Sequence, residues 1–157
     1  MAAAPREFPD APRVGVGAVV LDGDRVLLAR RGHAPSLGKW SIPGGLVDLG
    51  ERIEDALVRE IEEESGLHVR LLGLCGVIDR VVREADAVRY HYVIIDYVAE
   101  VVGGLLQAGS DAAEVRWVSV DDLGQYDTTD GLADMVHRAR AIQQATTAKS
   151  NQSAKGN

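Results

Sequence analysis

Residues 14–21, VGVGAVVL, carry no charge, and beyond Asp22-Gly23-Asp24 a second aliphatic stretch runs into Arg30 and Arg31. Two β-prone runs flanking an Asp-Gly turn predict a β-hairpin. Residues 32–39 read as a loop. The short Trp40-Ser41-Ile42 segment then meets Pro43-Gly44-Gly45. Proline lacks a donor and paired glycines favour unusual backbone angles, so the chain is expected to turn there. From 52 to 65 the period changes: Ile53, Leu57 and Ile61 recur every fourth position with Val58 beside them, and Gly66 follows. This is the pattern of an amphipathic helix with a glycine stop.

Residues 69–78, 88–98 and 115–118 are rich in Val, Ile, Leu and Tyr and predict further strands, and 130–144 predict a closing helix. Strands dominate, with helices mid-chain and at the end, so the fold class expected is α/β (α+β), a mixed β-sheet covered by helices. The segments 1–12 and 146–157 are polar, small and aperiodic, and are expected to be flexible tails around one domain at 13–145.

Composition narrows the class. A chain of 157 residues, 46% hydrophobic and 26% charged, fits a single globular domain. Its lone cysteine, Cys75, excludes an internal disulfide, a zinc ribbon or a Cys-pair redox centre, and fits a reducing compartment. Apolar runs fall short of the roughly 18 residues that cross a bilayer. The opening segment holds Glu7, Asp10 and prolines but no apolar core, so no secretory leader or membrane partner is expected, and the location expected is cytoplasmic. The net charge of −7 disfavours a stable nucleic-acid partner, while a homodimer is compatible with the sequence.

The charge is unevenly spread. Residues 48–64 hold Asp48, Glu51, Glu54, Asp55, Glu60, Glu62, Glu63 and Glu64 against only Arg52 and Arg59. At about 100° per residue, Glu60, Glu63 and Glu64 share one arc of the helix, bordering its apolar stripe. They also occupy its last turns, where the helix dipole makes each anion unfavourable by roughly 0.3–1 kcal/mol. A charge run is ordinarily a solvated face. Carboxylates crowded at the wrong helix end beside apolar surface are better relieved by a hard cation with oxygen ligands, Mg²⁺ or Mn²⁺.

The spacing sharpens this reading. Gly45, five residues, Glu51, seven residues, then Arg59-Glu60-Ile61-Glu62-Glu63-Glu64-Ser65-Gly66-Leu67 fits every specified position of G-x5-E-x7-R-E-U-x-E-E-x-G-U, with U aliphatic. The segment resembles the complete Nudix box, and the hairpin before it and strands after it are what the Nudix fold would supply. The resemblance implies a mixed β-sheet sandwiched between helices and a loop-helix-loop that binds a divalent metal. It also implies hydrolysis of the pyrophosphate bond in a nucleoside diphosphate linked to another moiety. By that resemblance Glu60 and Glu64, with Glu63 assisting, are metal ligands, and the carbonyl of Gly44 is a further one. Glu51 and Arg59 brace the site, Arg59 by pairing with a box glutamate. A pyrophosphate repels both a nucleophile and this acidic helix, so its hydrolysis calls for a metal that neutralises charge and acidifies water. Glu63 is the candidate general base.

Outside the box, Glu114 precedes Val115-Arg116-Trp117, where many Nudix relatives carry another metal-site glutamate. Arg30, Arg31 and Lys39 flank the loop before the box, and Arg31 is the preferred phosphate contact, with Lys39 a second candidate. Tyr90 and Tyr92 are expected on one strand face with packing roles, and Trp40 is expected to pack against the box loop. Hairpin, Trp-x-x-Pro-Gly-Gly, box and the acidic stretch 111–114 together resemble compact ADP-ribose pyrophosphatases. The substrate expected is therefore ADP-ribose or a related nucleoside diphosphate sugar. The alternatives are a pyrophosphohydrolase of canonical or oxidised nucleoside triphosphates and, from another class, a non-catalytic nucleotide-sensing module. The unbroken box weighs against the last.

Overall fold

The structure is a computed structural model that describes residues 5–109 and 112–156. Asp111, part of the expected acidic stretch, lies outside the described residues.

β1 (Arg13–Asp22) and β2 (Arg25–Arg31) form the expected hairpin, with Leu21 opposite Val26 and Asp22 opposite Arg25. β3 (Trp40–Ser41) pairs with β2, and β4 (Gly44–Leu46) pairs with β1. Then come α1 (Ile53–Ser65), the long hairpin of β5 (Leu67–Glu84) and β6 (Ala87–Gly104), β7 (Ala112–Ser119), a 3₁₀ turn (Val120–Gln125) and α2 (Leu132–Lys155). The sheet runs β3-β2-β1-β6-β5, with β4 also on β1 and β7 on β2. It is mixed, because β1 and β6 are parallel while the other pairings are antiparallel.

The continuous apolar run at 14–21 has a simple cause: β1 is covered on both faces. Val16, Ala18 and Val20 pack with Ala56, Leu57 and Ile61 of α1. Val19 and Leu21 point the other way, into a core with Leu132, Met135, Val136 and Ala139 of α2. Leu57 and Ile61 are fully buried, and each such side chain contributes roughly 1.5–3 kcal/mol of apolar burial.

Several local expectations change. The Pro-Gly-Gly segment turns, yet Gly44 and Gly45 also enter β4, opposite Gly17 and Val16. A side chain at Gly44 would collide with the Val16 carbonyl, so the residue that looked like a strand breaker is what lets two backbones approach. β5 and β6 extend well beyond the predicted runs, pairing as far as Glu84 opposite Ala87. The residues added to β5, 79–84, are mostly exposed and include Asp79, Arg80, Arg83 and Glu84, which is why its apolar signal fades there, whereas β6 is lengthened at its other end, by 99–104, where Gly103 and Gly104 close the run.

The tails also differ from expectation. The helix predicted to end at residue 144 continues to Lys155, its last turns exposed. The hydroxyls of Thr146, Thr147, Ser150 and Ser153 donate back to carbonyls four residues earlier at 3.0–3.2 Å, which satisfies these polar side chains within the helix. At the other end, Phe8 N–H donates to the Arg89 carbonyl at 2.8 Å, and Glu7 accepts from the Tyr90 hydroxyl at 2.6 Å. That docking partner lies some 80 residues away in sequence, where no local pattern reports it.

Tyr90 and Tyr92 share a face as expected, their rings stacked at 6.3 Å. Trp40 instead joins the α2-side core and meets Tyr126 edge-on at 5.6 Å, not the box loop.

Candidate metal and phosphate site

α1 is flanked by Arg52, the N-cap, whose backbone is extended, and by Gly66, the C-cap, whose φ of 73° is the left-handed conformation that closes many helices. Glu54 and Asp55 sit favourably in its first turn, whereas its last turn holds no basic residue. The charge of that last turn is instead managed by Arg59, one turn earlier.

Arg59 grips Glu51 with two hydrogen bonds, Nε to Oε2 at 2.8 Å and Nη2 to Oε1 at 2.9 Å. Its Nη1 donates to Glu60 at 2.9 Å and to Glu63 at 3.2 Å, and Nη2 also reaches the Leu46 carbonyl at 3.3 Å. One planar guanidinium thus ties the loop before α1, the strand β4 and two helix carboxylates together. The Arg59 hydrogen bonds, helped by the Asp48 N–H, lower the Glu51 carboxyl to about 2. Glu51 in turn raises the Arg59 guanidinium further above its ordinary range. Glu51 and Arg59, expected to brace the site, are thus joined to each other and, through Arg59, to Glu60 and Glu63.

Glu60 and Glu64 face the glycines. The side chain of Glu60, 15% exposed, lies where a Cβ on Gly45 would be. Glu64 accepts a hydrogen bond from the Gly44 N–H at 3.2 Å. Glu63 is 56% exposed and turns toward Arg59. Among the described residues no three acidic, His or Cys side chains stand close enough together to hold a metal as they are. The expected convergence of Glu60, Glu63 and Glu64 is therefore looser than helix geometry alone suggests, because Arg59 draws Glu60 and Glu63 to itself. The donor types nonetheless suit a hard divalent cation: the carboxylates of Glu60 and Glu64 lie against a glycine pair whose missing side chain at position 45 is what lets the Glu60 carboxyl approach the β4 backbone.

Glu60, Glu64, Gly44 and Gly45 line a cleft of about 780 Å³ whose lining also includes Arg6, Arg13, Arg30, Arg31 and Arg80. Arg31 donates to the Pro35 carbonyl at 2.7 Å, and Arg80 to Ser36 Oγ at 3.0 Å. Burial, followed by the charge of Arg80, lowers the Arg31 guanidinium from its usual range, while Tyr92 and Glu64 oppose that shift. Arginines that line the same cleft as carboxylates bring both signs of charge to one surface, an arrangement chemically suited to a phosphate, which a guanidinium binds directly and a carboxylate only through a cation.

Two candidates lie elsewhere. Lys39 pairs with Asp127 at 3.7 Å and is not among the lining residues. Glu114 sits opposite Arg30 in β7, pairs with Arg116, and is likewise absent from the lining. Sequence reasoning missed Arg6, Arg13, Arg80 and Asp96, all of which line the cleft. Arg80 and Asp96 come from the long hairpin, where a charged residue within a strand pattern was the only available signal.

The comparisons with known proteins agree with this architecture. The Nudix domain profile matches residues 11–139. The chain belongs to the Nudix family, whose hydrolases act on phosphorus-containing anhydrides. It is 37% identical over 112 residues to the ADP-ribose pyrophosphatase of Methanocaldococcus jannaschii, covering 71% of this chain and 64% of that protein. It is 35% identical over 102 residues to a putative 8-oxo-dGTP diphosphatase of Bacillus subtilis, covering 64% and 62%. The chain thus spans somewhat less than two thirds of the length of these curated relatives. A MutT Nudix hydrolase structure from Burkholderia pseudomallei superposes with a TM-score of 0.73 at 33% identity, covering 82% of this chain and 98% of that one. Among the described residues no helix is long and apolar enough to cross a membrane.

Proposed function

We propose that the chain hydrolyses the pyrophosphate bond of a nucleoside diphosphate linked to another group, with ADP-ribose or a related nucleoside diphosphate sugar as the favoured substrate. The observation that carries this reading is one cleft lined both by the α1 carboxylates Glu60 and Glu64 and by a group of arginines that includes Arg31 and Arg80. Glu60, Glu64 and the Gly44 carbonyl are the ligands assigned to Mg²⁺ or Mn²⁺. Such an ion supplies charge neutralisation for the diphosphate and a more acidic water when bound. Arg31 and Arg80 bind and orient the phosphates, lowering the cost of gathering negative charge near an acidic helix. Arg59 fixes Glu60 in place and also donates to Glu63, and Glu63, on the exposed side of that network, is the candidate proton acceptor.

The resemblance to an archaeal ADP-ribose pyrophosphatase supports the choice of a diphosphate sugar. The relative named for 8-oxo-dGTP makes a nucleoside triphosphate the competing substrate class. Product analysis separates the two. With Mg²⁺ or Mn²⁺ present, ADP-ribose should give AMP and ribose 5-phosphate, and a triphosphate would give a monophosphate and pyrophosphate. If kcat/KM for every diphosphate sugar falls far below that for some triphosphate, the favoured substrate is wrong and the triphosphate reading replaces it. If no pyrophosphate bond is cleaved with either metal, the enzymatic reading itself fails.

A further inference from the structure

Asp96 stands in the middle of β6, directly beside Gly17 of β1 in the parallel ladder. It is only 3% exposed, it lines the cleft, and its Oδ1 has no hydrogen-bond partner among the described residues. A buried acceptor left unpaired costs roughly 1–3 kcal/mol, and more when charged, so such a group in a native wall calls for a reason.

Its surroundings say what the reason can be. Gly17 lies between Val16 and Ala18, which face α1, so its own open face is turned toward α2. A Cβ on Gly17 would overlap Asp96 Oδ1 and touch the Ile42 side chain, which places the carboxyl and Ile42 around the same bare patch of strand. Leu132 and Met135, from the start of α2, line the same cleft. The recess thus brings the apolar side chains of Ile42, Leu132 and Met135 around one unpaired acceptor, on the sheet face opposite the one that packs α1, while Ser41 and Thr129, which hydrogen-bond each other, and Asp130 also line the cleft. A phosphate is repelled by a carboxylate and gains nothing from Ile, Leu and Met. A planar heterocycle gains from all three walls, and an amino group on its edge supplies the missing donor.

We propose that Asp96 is the residue that reads the nucleobase, accepting a hydrogen bond from an exocyclic amine such as that of adenine while Ile42, Leu132 and Met135 enclose the ring. This rests on the reading of the cleft as a nucleotide site and adds which end of the nucleotide goes where: phosphates between Arg31 and the α1 glutamates, base against Asp96. A site built around a buried acceptor discriminates strongly, because a base lacking the donor leaves the carboxyl unpaired again.

Titration calorimetry without added metal tests this apart from catalysis. The probes are AMP and purine riboside 5′-monophosphate, which differ only by the amine. The parent is expected to bind AMP tighter by about tenfold or more. Asp96→Leu, isosteric and without an acceptor, should bind the two equally, and Asp96→Asn, which keeps an acceptor oxygen, should retain a preference for AMP. The inference is overturned if the parent binds neither probe, if it binds both alike, or if Asp96→Leu keeps the parent's preference. The parent measurements stand even if a variant fails to fold. A preference for AMP in a protein that cleaves no pyrophosphate would leave Asp96 as base reader and remove only the proposed hydrolysis. Cleavage without any preference for the amine would do the reverse.

Discussion

Glu51, at the entry to α1, and Asp96, in the middle of β6, are both carboxylates near one cleft, and their surroundings push them in opposite directions. Glu51 is held by two hydrogen bonds from Arg59 and one from a backbone N–H, which lower it to about 2. Burial without a partner raises Asp96 to about 6. The first is a carboxylate satisfied by its own chain and so suited to bracing. The second is left wanting by its own chain, and a ligand is the natural source of what it lacks. The charge pattern of a sequence does not distinguish these cases; the partners do.

The largest effect expected concerns neither residue directly but the centre that Glu51 serves through Arg59. Glu64→Gln keeps the shape and the hydrogen bond from Gly44 N–H while removing the charge. It should lower turnover by about 10²-fold or more with the fold intact. Millimolar Mg²⁺ should raise the melting temperature of the parent, an effect that EDTA reverses, and should raise that of the variant much less. Steady-state rates and thermal melts check both parts, and a variant as fast as the parent at saturating metal would remove Glu64 from the ligand set.

A smaller effect isolates Asp96. Because its native pKa is raised, the folded state holds a proton that the unfolded chain releases. This contribution to stability is fully present below roughly pH 4 and is lost as pH rises through about 6. Asp96→Leu has no proton to lose, so relative to the parent it should gain up to about 3 kcal/mol between roughly pH 4 and pH 7. Urea unfolding of both proteins across that range measures the difference. A constant offset would mean that the Asp96 carboxyl has an ordinary affinity for protons.

The box was legible because its logic is local. Helix periodicity, the Gly66 stop and the spacing from Gly45 to Leu67 lie within one stretch of chain, and the structure keeps α1 within a residue of its predicted start. The pairing of Arg59 with box glutamates was also foreseeable, being a matter of one turn of helix. What escaped notice is set by strand register. Asp96 becomes a cleft residue only because β6 lies parallel to β1 with Gly17 beside it, and Arg80 only because β5 carries it to the mouth of the loop at Ser36. Gly17 read as one small residue in an apolar run, although its missing side chain is what accommodates the Asp96 carboxyl. The helical turns after residue 144 escaped for a different reason: they bury no apolar face, so periodicity had nothing to report.

The smallest effect expected breaks the comparison from the Glu51 side. Arg59→Lys keeps the positive charge but replaces a planar fork with a point charge, which cannot make the paired contact to Glu51 while also reaching Glu60 and Glu63. At neutral pH the loss should be about 1–2 kcal/mol, since charge-assisted hydrogen bonds disappear but no apolar core is opened. The pH dependence carries the sharper information. In the parent, the lowered pKa of Glu51 contributes stability that is complete above its ordinary pKa, roughly 4.3, and is lost as pH falls toward about 2. With lysine at position 59 that pKa should move back toward the ordinary value, so the gap between parent and variant should narrow as Glu51 becomes protonated in both. Urea midpoints at pH 7 and near pH 2 test this directly. A gap that stays the same size at both would mean that Arg59 acts through packing of its stem against Leu46 and the helix, and Glu51 would then be no more a braced carboxylate than its solvated neighbours in the acidic run.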